Sequence, residues 1–239
     1  MADERLPDYP NSDPRSFGYG VARAAIDAAT SFVPGASFAV GAIVEHVVAA
    51  PLQKRRDEWF EQVGKGIQEL QDRLEDFDSR TLAENDDFVS AVYEATQAAM
   101  KTTNEAKIEA LRNGILNIAA GMTVEEVLRG TFFSLIDRLS PAHLRVLSLL
   151  ADPSSSPEML QAAKNVSMGA QYNIIREAIP ETLISESVLA RILSDLGRDG
   201  LAQTDGMKAT GTAAVLLAKR TTEAGDAFLR FVSSPQSAD

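Results

Sequence analysis

Arg191 and Arg198 stand in the stretch SESVLARILSDLGRDGLAQT, on what a helical reading makes one outward face with Ser187, Ser194 and Asp195. Lys208, Lys219 and Arg220 follow. Guanidinium and ammonium groups displayed in this way can neutralise phosphates, and a helix carrying them can present side chains to base edges. The same stretch is poor in net charge, because Arg191 and Arg198 face Glu186, Asp195 and Asp199 within residues 185–199. Useful affinity for a polyanion at cellular salt needs several phosphate contacts, so five basic side chains suffice only if a homodimer doubles them. Docking of a protein partner or a second copy is therefore the leading expectation for Arg191, Ser194, Arg198, Lys208, Lys219 and Arg220. DNA is the alternative.

A second basic group, Lys54, Arg55 and Arg56 in KRRDE, lies at the start of a helix-forming stretch. It reads as a solvated face with local ion pairs, or as a contact for an anionic lipid or acidic partner. His46 and His143 are the only histidines, and cysteine is absent, which removes disulfides, thiolate catalysis and cysteine-bound zinc. His46, among valines, reads as a core or interface residue, and His143, near a helix start, as an exposed surface residue. ENDDF at 84–88 lacks an alternating ligand pattern and reads as a helix start whose acids suit the N-terminal dipole. GKG at 64–66 lacks the spacing and the following Ser or Thr of a phosphate-binding loop and reads as chance. No catalytic motif emerges, and a non-enzymatic protein without metal or cofactor is expected.

The positions of these residues depend on the elements that carry them. Net charge is −11, and the halves differ: residues 1–137 hold 13 Lys and Arg against 23 Asp and Glu, and residues 138–239 hold 10 against 11. The front half should repel phosphate backbones while the back half is nearly neutral. MADERLPDYP is acidic and Pro-containing rather than apolar, so no secretory signal is expected and the setting reads as cytoplasmic. Residues 1–16 read as a flexible leader.

Residues 17–50 are the most apolar part and parse as two helices turning at Pro34-Gly35. The uncharged run Ala28–Val44 has 17 residues and is interrupted, short of the ~20 needed to span a bilayer. It reads as a buried hairpin, with a membrane-active effector as an alternative. A long helix follows over 52–78, with Leu52, Trp59, Val63, Ile67, Leu70, Leu74 and Phe77 in one stripe for packing or for a coiled-coil seam. Further helices are predicted over 86–103, with Phe88, Val89, Val92, Tyr93, Thr96, Ala99 and Met100 inward, over 104–119, and from Thr123, where TVEE suggests a capping box.

In the back half, Ser140-Pro141 and Ser156-Pro157 each mark a helix start, and residues 171–183 read as a short helical or irregular segment. Ser185 opens the helix carrying Leu189, Ile192, Leu193 and Leu196, and Gly200 closes it. TAAVLLAKRT reads as one strand of a short β-ribbon, and a last helix starts at Thr221 or Thr222.

The order of SPAHLRVLSLLADP, VLARILSDLGRDGLAQ and KRTTEAGDAFLRFV resembles a winged helix-turn-helix of the MarR type over roughly residues 139–233. The resemblance implies an early helix, a recognition helix running into the wing at "GL", and a post-wing helix with Thr-x-x-Gly. The stretch between Ala151 and Ser185 is longer than that family's usual helix-turn-helix step. PLQKRRDEWFEQV and KIEALRNGILN are also similar to phrases in uncharacterised bacterial helical proteins with a winged-helix-like end. The expected fold class is mainly α. An N-terminal helical assembly over 17–137 precedes a winged-helix-like α+β domain over 138–233 and a tail over 234–239.

Overall fold

The computed structural model describes residues 50–75 and 77–235. The leader, nearly all of the 17–50 hairpin, His46 and most of the tail lie outside the described residues. The chain divides into two compact units, Met1–Phe60 and Glu61–Asp239. The boundary expected near residue 138 falls inside the second unit. The described part is mainly helical with a small two-stranded antiparallel sheet.

Helix α1 covers Ala50–Arg73. In its first part Lys54 lies 3.6 Å from Glu58, and Gln53 donates to Asp57 at 2.8 Å. In its second part Val63, Gly66 and Leu70 form the buried stripe. The glycine read as chance has a packing reason: a Cβ on Gly66 would sit 2.5 Å from Leu116 Cδ1. The stripe thus seats on a neighbour within the chain. The helix stops at Arg73, short of Leu74 and Phe77. A 3-10 turn, Ser79–Glu84, follows, its start held by Asp78 accepting from the Arg80 N–H.

Helices α2 (Asp86–Lys101) and α3 (Glu105–Ala119) begin at Asn85 and Asn104, whose side chains accept the Phe88 and Lys107 N–H groups. Such caps satisfy donors that a helix start leaves open. The acids of ENDDF do start a helix. The inward face of α2 differs from expectation: Phe88, Ala91, Ala95, Ala98 and Ala99 are buried, while Val89 and Tyr93 point outward. Alanines, rather than the larger residues, make up most of the buried face of α2. Helix α4 spans Glu126–Arg138, so Thr123 does not cap it.

Helices α5 (Pro141–Ala151) and α6 (Pro157–Lys164) start at Ser140 and Ser156 with proline at the first position. Strand β1 (Met168–Ala170), which the sequence reading lacked, leads into α7 (Gln171–Ala178) and α8 (Glu186–Arg198). Gly200 at φ +70° ends α8, with Leu201 N–H returned to the Leu196 carbonyl at 3.0 Å and Gly200 N–H to the Gly197 carbonyl at 3.1 Å.

The run expected as a ribbon strand behaves otherwise. Only Thr210–Thr212 is strand β2, and it pairs with β1 in the register Met168 with Thr212, Gly169 with Gly211 and Ala170 with Thr210. Ala213–Leu216 winds into the short helix α9. Within positions 200–222 the segment pairs with itself through one antiparallel bridge, Ala202 with Thr221. Gln203 N–H to Arg220 carbonyl (2.7 Å) and Thr222 N–H to Leu201 carbonyl (3.1 Å) flank it.

Helix α10 (Glu223–Val232) starts at Thr222, whose hydroxyl accepts Gly225 N–H. Gly225 is dictated by proximity: a Cβ there would lie 2.0 Å from the Leu201 carbonyl oxygen. The other end of α10 enters the core of the second unit. Phe228 and Phe231 each stack 5.3 Å from Phe132, and Phe231 meets Phe133 edge-on at 5.1 Å. Buried Asn117 on α3 donates to the carbonyls of Arg230, Phe231 and Ser233 at 3.2, 3.0 and 2.8 Å, and Asn113 donates to Val232 at 2.9 Å. Arg73 reaches the Pro235 carbonyl at 2.9 Å.

Candidate functional site

Helix α8 sits with Leu189, Ile192, Leu193 and Leu196 buried, which turns Ser187, Val188, Arg191, Ser194 and Arg198 outward. Asp195 departs from the expected outward set. It is 8% exposed and lies at the centre of a charge cluster. Its Oδ2 accepts from Arg191 Nε at 2.9 Å, and Arg198 Nη1 lies 3.0 Å from its Oδ1. Next along, Asp199 accepts from Arg198 Nε at 3.3 Å and pairs with Arg138 of α4 at 2.9 Å. Burial alone would raise the Asp195 carboxyl, but Arg191, His143 and Arg198 outweigh it and hold it below the usual carboxylate range.

His143 corrects another expectation. Its side chain is 14% exposed rather than a free surface group. Ser140 N–H donates to Nδ1 at 3.3 Å, Ser140 Oγ lies 2.8 Å from the same nitrogen, and Nε2 stands 3.6 Å from Asp195 Oδ2. Burial is the largest influence on the ring and carries it below its ordinary value, against the pull of Asp195 and Asp199 and with the help of Arg138.

The remaining basic residues are also matched. Lys208 lies 4.6 Å over the Tyr172 ring and 3.8 Å from Glu186. Lys219 donates to Asp226, which also accepts from Thr221. These bonds hold the Asp226 carboxyl below its ordinary range, although burial opposes them. Half-buried Arg220 donates through Nε to Gln171 Oε1 at 2.7 Å, while Gln171 donates to the Ala218 carbonyl at 2.8 Å. Arg220 thereby serves to tie α7 to the stretch before α10. In the first unit Lys54 faces Glu58, Arg56 stacks 5.7 Å over Phe60, and Arg55 is half-buried.

The structure brings Arg191, Ser194 and Arg198 onto one outward face of α8 and places Lys208 near its first turn through Glu186. Lys219 and Arg220 are engaged instead with Asp226 and Gln171. Apolar side chains lie open nearby in the chain: Leu183 (64% exposed) just before α8, Val188 on it, and Met168 (63%) on β1. Among the described residues no group of three or more His, Asp or Glu side chains is placed to hold a metal ion. No helix among them is long and apolar enough to cross a membrane.

Sequence reasoning missed Asp195, Asp199, Arg138 and Gln171 as organising residues. For Asp195 a signal was present, since Arg191 and Arg198 stand four before and three after it, where helical side chains meet. The Arg138–Asp199 and Arg220–Gln171 pairs join distant segments and left none. Comparison with protein-family models, with curated proteins and with solved structures finds no match to this chain.

Proposed function

We propose that residues 138–233 act as a winged-helix-like, non-enzymatic interaction module that docks a protein partner or a second copy of the chain. One observation carries this reading: the cations of the α8 face and the following segment are already matched by acceptors or an aromatic ring of the same chain. Individually such exposed pairs are weak, about 0–1 kcal/mol, and a phosphate can compete for the cation. The carboxylates, however, stay where they are. Asp195 and Asp199 are fixed on or beside the helix, so an approaching polyanion meets a face of nearly balanced charge. Steering and counterion release both require an excess of cations that this face lacks. Open Val188 and Leu183 beside the paired charges suit a protein surface better than a sugar–phosphate backbone.

The test is fluorescence anisotropy of the full chain with mixed-sequence and selected duplexes at about 50 and 200 mM salt, alongside sedimentation velocity over a range of concentrations. The reading expects no salt-sensitive duplex binding. Sequence-selective binding that weakens steeply with salt would overturn it and favour the second reading, a homodimeric DNA-binding regulator. That second reading draws on the exposure of Arg191 and Arg198, 74% and 58%, on the same side of α8 as Ser194. The membrane-active alternative rests on residues 17–50, nearly all outside the described residues.

A further inference from the structure

The contact between the start of α5 and the end of α8 is closed by charges and one imidazole. The ring of His143 is in the first turn of α5, and its Nδ1 receives the Ser140 N–H. A nitrogen that accepts carries no proton, so the neutral ring bears its hydrogen on Nε2. That atom is buried, has no hydrogen-bond partner, and faces Asp195 Oδ2 across 3.6 Å. Both Asp195 oxygens are already engaged, by Arg191 and by Arg198. Asp199 at the end of α8 is likewise shared between Arg198 and Arg138.

We propose that His143 makes this joint acid-sensitive: its neutral ring caps the first turn of α5 where that turn packs beside α8, and protonation breaks the cap and loosens the contact of the two helices. Protonation puts a hydrogen on Nδ1, which can then no longer accept the Ser140 N–H and turns to the Ser140 Oγ 2.8 Å away, leaving the backbone donor uncapped. It also brings a positive charge to a part-buried position. From α8, Asp195 and Asp199 attract that charge, but their charge is already divided among Arg191, Arg198 and Arg138. From the end of α4, Arg138 repels it. Burial is the largest influence on the ring and lowers its value against the pull of the two aspartates.

The direction of the effect follows from linkage. A histidine depressed in the folded state binds fewer protons there than in the unfolded chain, so its contribution is present above about pH 6.5. It is lost as pH falls through the folded-state value. The carboxylates held low, Glu61, Asp78, Glu158, Asp195 and Asp226, release their contributions below about pH 5, so the comparison of about pH 7.5 with about 5.5 reads the histidine.

The experiment uses the full chain, wild type and H143N, because an asparagine Oδ1 can take the place of Nδ1 as acceptor for Ser140 N–H without titrating. Imidazole resonances are followed by NMR through about pH 8 to 5, His143 being assigned by its disappearance in H143N, or by elimination with H46N if H143N fails to fold. Amide hydrogen exchange of α5 and α8, corrected for intrinsic rates, is measured at about pH 7.5 and 5.5. The expected result is a ring titrating below 6.5 and a several-fold drop in wild-type protection at the acid end, absent from H143N. In D195N, which removes an attractive charge, the ring should titrate lower still. A ring titrating at or above 6.5, or an equal acid loss in H143N, would overturn the proposal.

Discussion

Two joints hold the C-terminal part of the second unit to what precedes it, and they are built from opposite materials. At the joint of α3, α4 and α10, four phenylalanines close an apolar contact and two buried asparagine amides take up the final carbonyls of α10. At the joint of α4, α5 and α8, three arginines, two aspartates and a histidine share one network near the surface. The first uses groups that do not titrate and are sealed from water. The second uses groups whose strength depends on protons and on salt. Burial of uncharged groups gives large, condition-independent stability, while exposed charges give small, adjustable terms.

Substitutions can break this contrast at either side. The largest effect is expected for Phe231→Ala, which removes a fully buried ring touching Phe132 and Phe133. A loss of about 3–5 kcal/mol, read as a lowered urea midpoint, should be the same in low and high salt. Asn117→Ala should cost less, about 1–3 kcal/mol, because the deleted amide takes its donor from the buried Phe231 carbonyl and the part-buried Ser233 carbonyl. Its loss should also be flat between pH 5 and 8. If that loss grew toward acid, the two joints would not be distinct in kind. The smallest effect belongs to Arg191→Ala, at most about 1 kcal/mol. It should fade as ionic strength rises, and persistence in 1 M salt would mean that Arg191 acts through its alkyl chain instead.

Local signals explain what the sequence made legible. Ser140-Pro141, Ser156-Pro157 and Thr222 all stand where helices start, because capping is a short-range exchange between one side chain and the next turn. Gly200 ends α8 for the same kind of reason. Long-range competition explains what was hidden. Val89 and Tyr93 fit an amphipathic stripe equally well, yet the alanines of α2 form its buried face, a choice set by the helices packed against it and not by spacing along it. AAVLL has strand character by composition, but the pairing partner of Thr210–Thr212 lies at Met168–Ala170, and no local pattern names it. Of the candidate contacts, the outward placing of Arg191, Ser194 and Arg198 followed from the spacing of Leu189, Ile192, Leu193 and Leu196. The engagement of Arg220 with Gln171 did not, since it depends on a contact between segments far apart in the chain.

The close seat of Gly225 on the Leu201 carbonyl has a mechanical consequence. Helix α10 has ten residues and is ~15 Å long. At its start there is no slack against the base of the 202–221 bridge, and at its finish Asn113 and Asn117 grip it. It therefore works as a strut. Any side chain at position 225 would have to displace either the Leu201 carbonyl or the start of α10, and with it the seating of Phe228 and Phe231 on Phe132.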